Sequence, residues 1–138
     1  MELHQHKIDS MLHGKHILLA EDHPLNAEIA QRLLEKVGCT VEWVNDGQKC
    51  VKRFEESADN HFDFILMDIR MPNMDGITAS KMIRGLPRAD AKIIPIIAMT
   101  ANAYDSDIKN CMDAGMNAHI SKPIDPKIMY ETMAKNII

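Results

Sequence analysis

Short apolar runs separated by helix-like segments constrain the fold of this chain most strongly. HILLA (16–20), FDFILM (62–67) and IIPIIAM (93–99) are almost continuously apolar and too short to be buried helices. Strands of this kind are covered on both faces, which is typical of a parallel sheet packed between helices. TVEWV (40–44) and NAHI (117–120) add two more strands by composition.

The segments between these strands have helical periodicity or helix-boundary residues. They predict helices over 24–37, from the turn at 45–47 to about 58, over 76–84, over 103–114, and from 126 onwards. The inward-facing side chains are expected to be Leu25, Ile29, Leu33, Leu34, Val37, Cys50, Val51, Phe54, Ile108, Cys111, Met112, Ile128, Met129, Thr132 and Met133. A strand and a helix alternate five times, so we predict an α/β fold with a five-stranded, doubly wound parallel sheet, (βα)5.

The length of 138 residues suits a single domain with one core. Residues 1–14 are polar, and we interpret them as a leader, a tag remnant or an interdomain linker before a folded domain at 15–138. No apolar run approaches the roughly 18 residues of a membrane span, and no secretory signal is evident. We therefore expect a cytoplasmic domain without membrane contact.

Charge and cysteine content exclude several classes of function. The net charge of -4 does not favour direct binding of nucleic acid. The three cysteines lie far apart and form no CxxC pair, so neither a disulfide framework nor a zinc site is indicated. No GxGxxG motif follows the first strand, which argues against a dinucleotide-binding fold.

Polar side chains follow four of the five predicted strands. Glu21 and Asp22 come after the first strand, Asp68 after the third, Thr100 after the fourth and Lys122 after the fifth. The carboxyl ends of parallel strands meet at one edge of the sheet, where ligands bind. Each residue alone has an ordinary interpretation as a helix cap, a turn acid or a solvated lysine. Their coincidence at four strand ends indicates a functional site.

The types of these residues point to phosphoryl chemistry. Three neighbouring carboxylates repel one another, and a bound cation would offset this repulsion. Because all the ligands are hard oxygens, Mg²⁺ is the cation that suits them. Lys122 and Thr100 can bind phosphoryl oxygens. Asp68, on the central strand, is the best candidate nucleophile, because a carboxylate can attack phosphorus and form an acyl phosphate.

Four fragments identify a family that the chain resembles: ILLAEDHPLN, FDFILMDIRMPNMDGI, PIIAMTANA and AGMNAHISKPID. Their order and spacing over residues 15–138 are similar to the receiver (response regulator, CheY-like) domains of two-component phosphorelay systems. In sequence, the fragments most resemble the receivers of hybrid sensor histidine kinases. The resemblance implies a flavodoxin-like, CheY-like topology.

The resemblance also implies a role for each site residue. Asp68 would accept a phosphoryl group from a phosphohistidine, and Thr100 and Lys122 would bind its oxygens. Mg²⁺ would be held by Glu21, Asp22, Asp68 and the backbone carbonyl of Arg70. The Lys122–Pro123 bond would often be cis. Phosphotransfer and dephosphorylation would be self-catalysed, and the parent chain could be a histidine kinase.

The partner implied by the resemblance is a histidine kinase or a histidine phosphotransfer domain. Phosphorylation would shift a conformational equilibrium at the face formed by the helix over 103–114, the strand over 117–120 and the final helix. A homodimer through this face is one arrangement that the family suggests. His119 stands where the family usually has Tyr or Phe. Coupling between Thr100 and a buried aromatic side chain at this position is therefore in question.

Three alternatives remain open at this point. The chain could be a stand-alone, single-domain regulator rather than part of a kinase. It could be an inert receiver that serves only for docking, although its set of site residues is complete. A haloacid-dehalogenase-type phosphatase also uses an aspartyl nucleophile, but it requires a second acid where this chain has Arg70.

Overall fold

The computed structural model describes residues 2–101 and 105–137, with side chains described at 7–101 and 107–137. Within these residues it has five strands, β1 (His16–Ala20), β2 (Thr40–Val44), β3 (Phe64–Asp68), β4 (Ile96–Thr100) and β5 (Ala118–Ser121). Its helices there are α1 (Glu2–Leu12), α2 (Pro24–Lys36), α3 (Gly47–Glu56), α4 (Gly76–Arg84), α5 (Ala89–Ile93), α6 (Asp105–Asp113) and α7 (Pro126–Lys135). None of the described helices has the length and apolarity that a membrane crossing requires.

The five strands form one parallel sheet in the order β2-β1-β3-β4-β5. Helices α2 and α7 cover one face, together with α1, and α3, α4 and α6 cover the other. Successive residues of β1 divide between the two cores, with Leu19 facing the α2 side and Leu18 the α3 side. The predicted doubly wound (βα)5 architecture is confirmed.

The central strands are as deeply buried as their composition predicts. Every residue of β3 and of β4 is buried, because helices cover both faces of the sheet at this point. Burial of each large aliphatic side chain in these strands contributes on the order of 1.5–3 kcal/mol. These rigid strands hold the residues at their carboxyl ends in place.

Helix α2 corrects one prediction about the core. Its buried residues are Ala27, Ala30 and Leu34, whereas Leu25 is 68% exposed and Ile29 45% exposed. The helical period was predicted correctly, but the helix is rotated about its axis. Alanines allow the helix to lie close to the sheet, and this rotates the two larger side chains towards solvent.

Two further side chains that were expected to be buried are exposed. Ile128 of α7 is 52% exposed and Met112 of α6 is 49% exposed, whereas Cys111 is buried as predicted. Tyr130 takes the inward position on α7, and its hydroxyl donates to the carbonyl of Leu33 over 2.5 Å. Helix α6 was expected to start at 103, a position that lies outside the described residues.

Helix α1 occupies the segment that we interpreted as a leader or linker. Ile8 and Leu12 lie four residues apart on one face of α1 and are buried in the same core cluster as α2 and α7. The carbonyl of Leu12 accepts a hydrogen bond from Cys39 Sγ over 3.3 Å. In this structure α1 therefore packs onto the domain, although its short apolar stripe did not distinguish it from a polar leader.

The short helix α5 was not predicted either, and residues 93–99 were expected to form one strand. Strand β4 begins only at Ile96, and Ile93 ends α5 with 56% of its surface exposed. Pro95 lies between the two and has no N–H to donate to a sheet ladder. The apolar run 93–99 is thus divided between the end of α5 and strand β4, and Pro95 lies between these two elements.

Candidate functional site

The structure brings the polar residues of four strand ends to one edge of the sheet. Asp68 is the last residue of β3 and Thr100 the last of β4, while Glu21 and Asp22 directly follow β1, and Lys122 directly follows β5. Strands β1, β3 and β4 are adjacent, so their ends converge. The resulting cleft is open to solvent and is lined by Asp22, Asp68, Thr100 and Lys122.

Three carboxylates form the centre of this cleft. One oxygen each from Glu21, Asp22 and Asp68 lie within 4.8 Å of one another. Glu21 is 1% exposed and Asp68 5% exposed. Among the side chains that the structure describes, Oδ1 of Asp22 is buried without a hydrogen-bond partner. A buried polar atom without a partner is costly, and a hard divalent cation such as Mg²⁺ would satisfy it.

Lys122 supplies the positive charge of the cleft. Its Nζ lies 2.9 Å from Oε2 of Glu21 and 2.9 Å from Oδ2 of Asp68. Burial alone would lower the pKa of Lys122, but the hydrogen bonds to both carboxylates outweigh it and raise this pKa. The lysine therefore stays protonated between the two acids.

One ammonium does not compensate for the acidic cluster completely. The pKa of Asp68 is raised from 3.8 to about 6, mainly by burial and further by the charge of Glu21, while the hydrogen bond from Lys122 acts in the opposite direction. A carboxylate held in this way attracts any additional cation. The electrostatics and the unpartnered oxygen of Asp22 thus indicate the same candidate cation site.

Lys122, directly after β5, is hydrogen-bonded to the end of the adjacent strand β4. The N–H of Lys122 donates to the carbonyl of Thr100 over 2.8 Å, and the Lys122–Pro123 peptide bond is cis. Thr100 itself is 6% exposed. Thr100, at the end of β4, and Lys122, directly after β5, thus line the same cleft as Asp68.

The connection from β3 to α4 folds back against Asp68. The N–H of Arg70 donates to Oδ1 of Asp68 over 3.3 Å, while the Arg70 side chain is exposed. Gly76 donates to the carbonyl of Ile69 over 2.8 Å. A Cβ at Gly76 would lie 2.2 Å from the carbonyl oxygen of Asp68, so only glycine fits here.

Two contacts that support the site were not predicted from the sequence. Asp46 is buried, caps α3 by accepting from the N–H of Lys49, and accepts from Asn73 Nδ2 over 2.9 Å. Trp43 Nε1 donates to the carbonyl of Glu21 over 2.7 Å. The turn residues around Asp46 and Asn73 were visible in the sequence, but nothing local indicated that they would meet.

Two histidines lie near the site without a side-chain hydrogen bond to its acids among the described contacts. His23 is the N-cap residue of α2, but its side chain makes no capping bond and is exposed. Its N–H donates to Oε1 of Glu21 over 3.2 Å. His119 is half-buried on β5, opposite Ala98 of β4. His23 is among the described residues that line the cleft, whereas His119 is not.

Comparison with protein families identifies the chain. A family model described as the response regulator receiver domain matches residues 17–134. The chain belongs to this family. Its receiver domain is 39% identical to Histidine kinase 1 of Arabidopsis thaliana over 92% of this chain. It is 42% identical to Hybrid signal transduction histidine kinase M of Dictyostelium discoideum over 86% of this chain. The chain spans only 13% and 5% of the length of these two relatives.

Solved receiver domains have the same fold. The receiver domain of a sensor histidine kinase from Pseudomonas aeruginosa is 36% identical, with a TM-score of 0.80 over 89% of this chain and 97% of that one. That structure has a magnesium ion coordinated in its active-site cleft. A receiver domain of Saccharomyces cerevisiae, crystallised with a histidine phosphotransfer protein, is 23% identical with a TM-score of 0.78 over 89% of this chain and 88% of that one, and agrees in fold.

Proposed function

We propose that this receiver domain accepts a phosphoryl group on Asp68 from a phosphohistidine of a partner protein. The observation that carries the proposal is the position of Asp68, which shares the Lys122 ammonium with Glu21 at 2.9 Å on each side. A structural fold gains little by collecting buried acids around a single lysine. A phosphoryl acceptor needs this combination of carboxylates and cations.

The residues of the cleft suit Mg²⁺. Oxygens of Glu21, Asp22 and Asp68 lie close enough to share one ion, and the unpartnered Asp22 Oδ1 would become a ligand. The backbone carbonyl of Arg70 is a further proposed ligand. When bound, Mg²⁺ would neutralise the charge that develops on the transferred phosphoryl oxygens. The similar P. aeruginosa receiver domain, with magnesium in its cleft, supports this assignment.

The transfer step can be written with the residues at hand. A carboxylate oxygen of Asp68 attacks phosphorus, the P–N bond of the phosphohistidine breaks, and the imidazole leaves with the electron pair. Lys122 then exchanges its bond with Asp68 for one with a phosphoryl oxygen, and the Thr100 hydroxyl donates to another. The product is an acyl phosphate on Asp68, which water can later hydrolyse.

An exposed apolar surface beside the cleft supports docking of a phosphohistidine protein. Leu25 and Ile29 of α2 are 68% and 45% exposed, and Ile29 lines a groove with Pro123 and Ile124 that reaches Lys122. A partner that covers this surface would bring its histidine to Asp68. We propose a histidine kinase or a histidine phosphotransfer domain as this partner.

The similarity to hybrid histidine kinases suggests that the domain acts within such a phosphorelay, as part of a longer kinase. We place the reaction in the cytoplasm, because histidine kinases form their phosphohistidine from ATP. The net charge of -4 makes direct nucleic-acid binding an unfavourable output. Signalling through protein contacts, including a homodimer on the α6–β5–α7 face, is the output that we propose.

Phosphorylation is proposed to shift an equilibrium between two conformations of this α6–β5–α7 face. Thr100 and the segment around His119 would report the phosphoryl group to it. Amide NMR shifts recorded with beryllofluoride, a phosphoryl mimic, test this switch. Changes on α6, β5 and α7 support it, whereas changes confined to the cleft contradict it.

Incubation with acetyl phosphate and Mg²⁺ tests the phosphoacceptor. Intact-mass spectrometry should detect one added phosphoryl group, which chelation of the metal abolishes. Asp68→Asn should lose the adduct, and Lys122→Ala should slow its formation by more than about tenfold. Asp59→Asn is the matched control, since Asp59 has a 79% exposed side chain that pairs with Arg88 and is not among the described residues that line the cleft.

Other outcomes would favour the alternatives. Undiminished phosphorylation of Asp68→Asn would contradict the assignment of the acceptor. Steady turnover of p-nitrophenyl phosphate would support a phosphatase. The absence of an adduct with any donor would support a receiver that serves only for docking.

A further inference from the structure

Trp43 is tied to the acid pair by a hydrogen bond. It lies on the edge strand β2, and its indole N–H donates to the backbone carbonyl of Glu21 over 2.7 Å. The indole ring is nonetheless 42% exposed, so burial of apolar surface accounts for only part of its position. The polar end of the ring points towards the chain that carries the two acids.

Strand β2 holds the Glu21 peptide from both sides. The N–H of Glu21 donates to the carbonyl of Val44 over 3.1 Å, and its carbonyl accepts from Trp43. The carboxylate of Glu21 accepts from Lys122 Nζ over 2.9 Å and from the His23 N–H over 3.2 Å. Each polar group of Glu21 therefore has a partner, which fixes both its backbone and its side chain.

The next residue depends on this anchor. Asp22 follows Glu21 directly, is half-buried, contributes one carboxylate oxygen to the acidic cluster, and has a buried Oδ1 without a hydrogen-bond partner. No side-chain hydrogen bond holds that oxygen, so its position follows from the backbone before it. If the Glu21 peptide could rotate, the oxygens of both acids would move relative to Asp68.

We infer that Trp43 is a positioning residue for the divalent cation site, acting through the Glu21 carbonyl. The inference rests on the proposed function, because it assumes that Glu21, Asp22 and Asp68 bind Mg²⁺. Groups that orient ligands without touching the ion commonly determine affinity. The competing explanation is simple packing, since Trp43 also lines a groove with Pro24 of α2.

Titration calorimetry with Mg²⁺ separates the two explanations. Trp43→Phe keeps an aromatic ring but removes the donor, and we expect it to weaken Mg²⁺ binding about fivefold, which corresponds to one lost hydrogen bond. Val41→Ala is the matched control. Val41 lies two residues away on the same strand and packs against the core that contains the buried residues of α2, but it has no contact with Glu21 among those described. It should lower stability without changing Mg²⁺ affinity.

Fluorescence supplies a second measurement. Trp43 is the one tryptophan of the sequence, so selective excitation of indole reports on this residue alone. Mg²⁺ should change its emission along a saturating curve, with the same midpoint as the calorimetric titration. In Asp22→Asn, which loses a proposed ligand, the midpoint should move to higher Mg²⁺ concentration.

The outcomes distinguish this inference from the function on which it rests. A wild-type protein that binds no Mg²⁺ would overturn both. Binding by the wild type with equal affinity in Trp43→Phe would overturn the positioning role alone. If Trp43→Phe does not fold, Trp43→3-benzothienylalanine keeps the shape of the ring without its N–H, and unchanged affinity in that protein would likewise overturn the role.

Discussion

Lys122 Nζ lies 2.9 Å from Oδ2 of Asp68 and at the same distance from Oε2 of Glu21, so one ammonium serves two buried carboxylates. Asp22 adds a third acid to the same cluster. The charges do not balance, and burial together with Glu21 raises the pKa of Asp68 to about 6. The metal-free protein therefore holds its proposed acceptor in an electrostatically unfavourable environment.

This environment predicts a specific dependence of stability on pH. The pKa of Asp68 is higher in the folded protein than its ordinary value of 3.8, so binding of a proton to Asp68 stabilises the folded state. This contribution to the free energy of unfolding is complete below pH 3.8 and is lost as pH rises through about 6. The loss is on the order of 3 kcal/mol. We expect Asp68→Asn to unfold at higher urea than the wild type at neutral pH, with metal chelated.

The difference between the two proteins isolates this effect. Hydrogen bonds lower the pKa of Asp90, and also lower that of Asp46 despite its burial. The contributions of these two carboxylates to the free energy of unfolding are therefore lost at lower pH than the contribution of Asp68. Both contributions are common to wild type and Asp68→Asn and cancel in the comparison. Parallel curves of unfolding free energy against pH for the two proteins would contradict the raised pKa. Mg²⁺ should reduce the difference.

Gly76 and Gly85 offer a matched pair of substitutions at the two ends of α4. Gly76→Ala would place a Cβ 2.2 Å from the Asp68 carbonyl oxygen, whereas the nearest atom to a Cβ at Gly85 is 3.5 Å away. We expect Gly76→Ala to slow phosphorylation by acetyl phosphate and to lower unfolding free energy by more than about 2 kcal/mol. Gly85→Ala should be neutral or stabilising by about 0.5 kcal/mol. Equal effects in kinetics and urea unfolding would argue against the close approach.

Arg88 joins α3 to the segment before β4. Its guanidinium pairs with Asp90 at 2.8 Å and donates to the carbonyls of Phe54 and Ser57 at the end of α3. Because Arg88→Ala would leave the buried Asp90 carboxylate without its cation, we expect a loss of about 3–5 kcal/mol in denaturant unfolding. The surface pair of Arg32 with Glu28 is the control, and Arg32→Ala should cost less than about 1 kcal/mol. Comparable losses would contradict this role of Arg88.

Helix α1 can be tested as part of the folded unit. Leu12 is fully buried, while Met11 beside it is 37% exposed. We expect Leu12→Ala to cost about 2–4 kcal/mol of unfolding free energy because it leaves a cavity, and Met11→Ala to cost less than about 1 kcal/mol. Thermal and urea unfolding measure both. If Leu12→Ala is as stable as the wild type, α1 does not contribute to the core and the leader interpretation of residues 1–14 is supported.

Local signals in the sequence were sufficient for the strands, for the helices that alternate with them and for the residue types at the strand ends. The continuous apolar character of β3 predicted a strand covered on both faces, and Asp68 was singled out because it follows this strand while polar residues follow three other strands. The start of the last helix at residue 126 was also predicted, and α7 begins at Pro126 with Asp125 as its N-cap. These features depend on a few neighbouring residues, so they can be read without knowledge of the fold.

The rotation of α2 was not predictable in the same way. Periodicity shows that one helical stripe is apolar, but the surface that the helix packs against decides which side chains are buried. Ala27 and Ala30 face the sheet and Leu25 faces solvent because small residues permit closer packing. The exposed Leu25 and Ile29 then form the proposed docking surface, although the sequence pattern had placed both residues in the core.

The residue types at the strand ends were enough to predict which groups could do chemistry here and on which edge of the sheet they would lie. The folded chain was needed to see that Lys122 bridges Glu21 and Asp68, that Trp43 holds the Glu21 carbonyl, and that α1 packs onto the domain. The difference arises from separation along the chain. Contacts between residues 22 to 101 positions apart depend on how whole elements pack, and no local pattern encodes those distances.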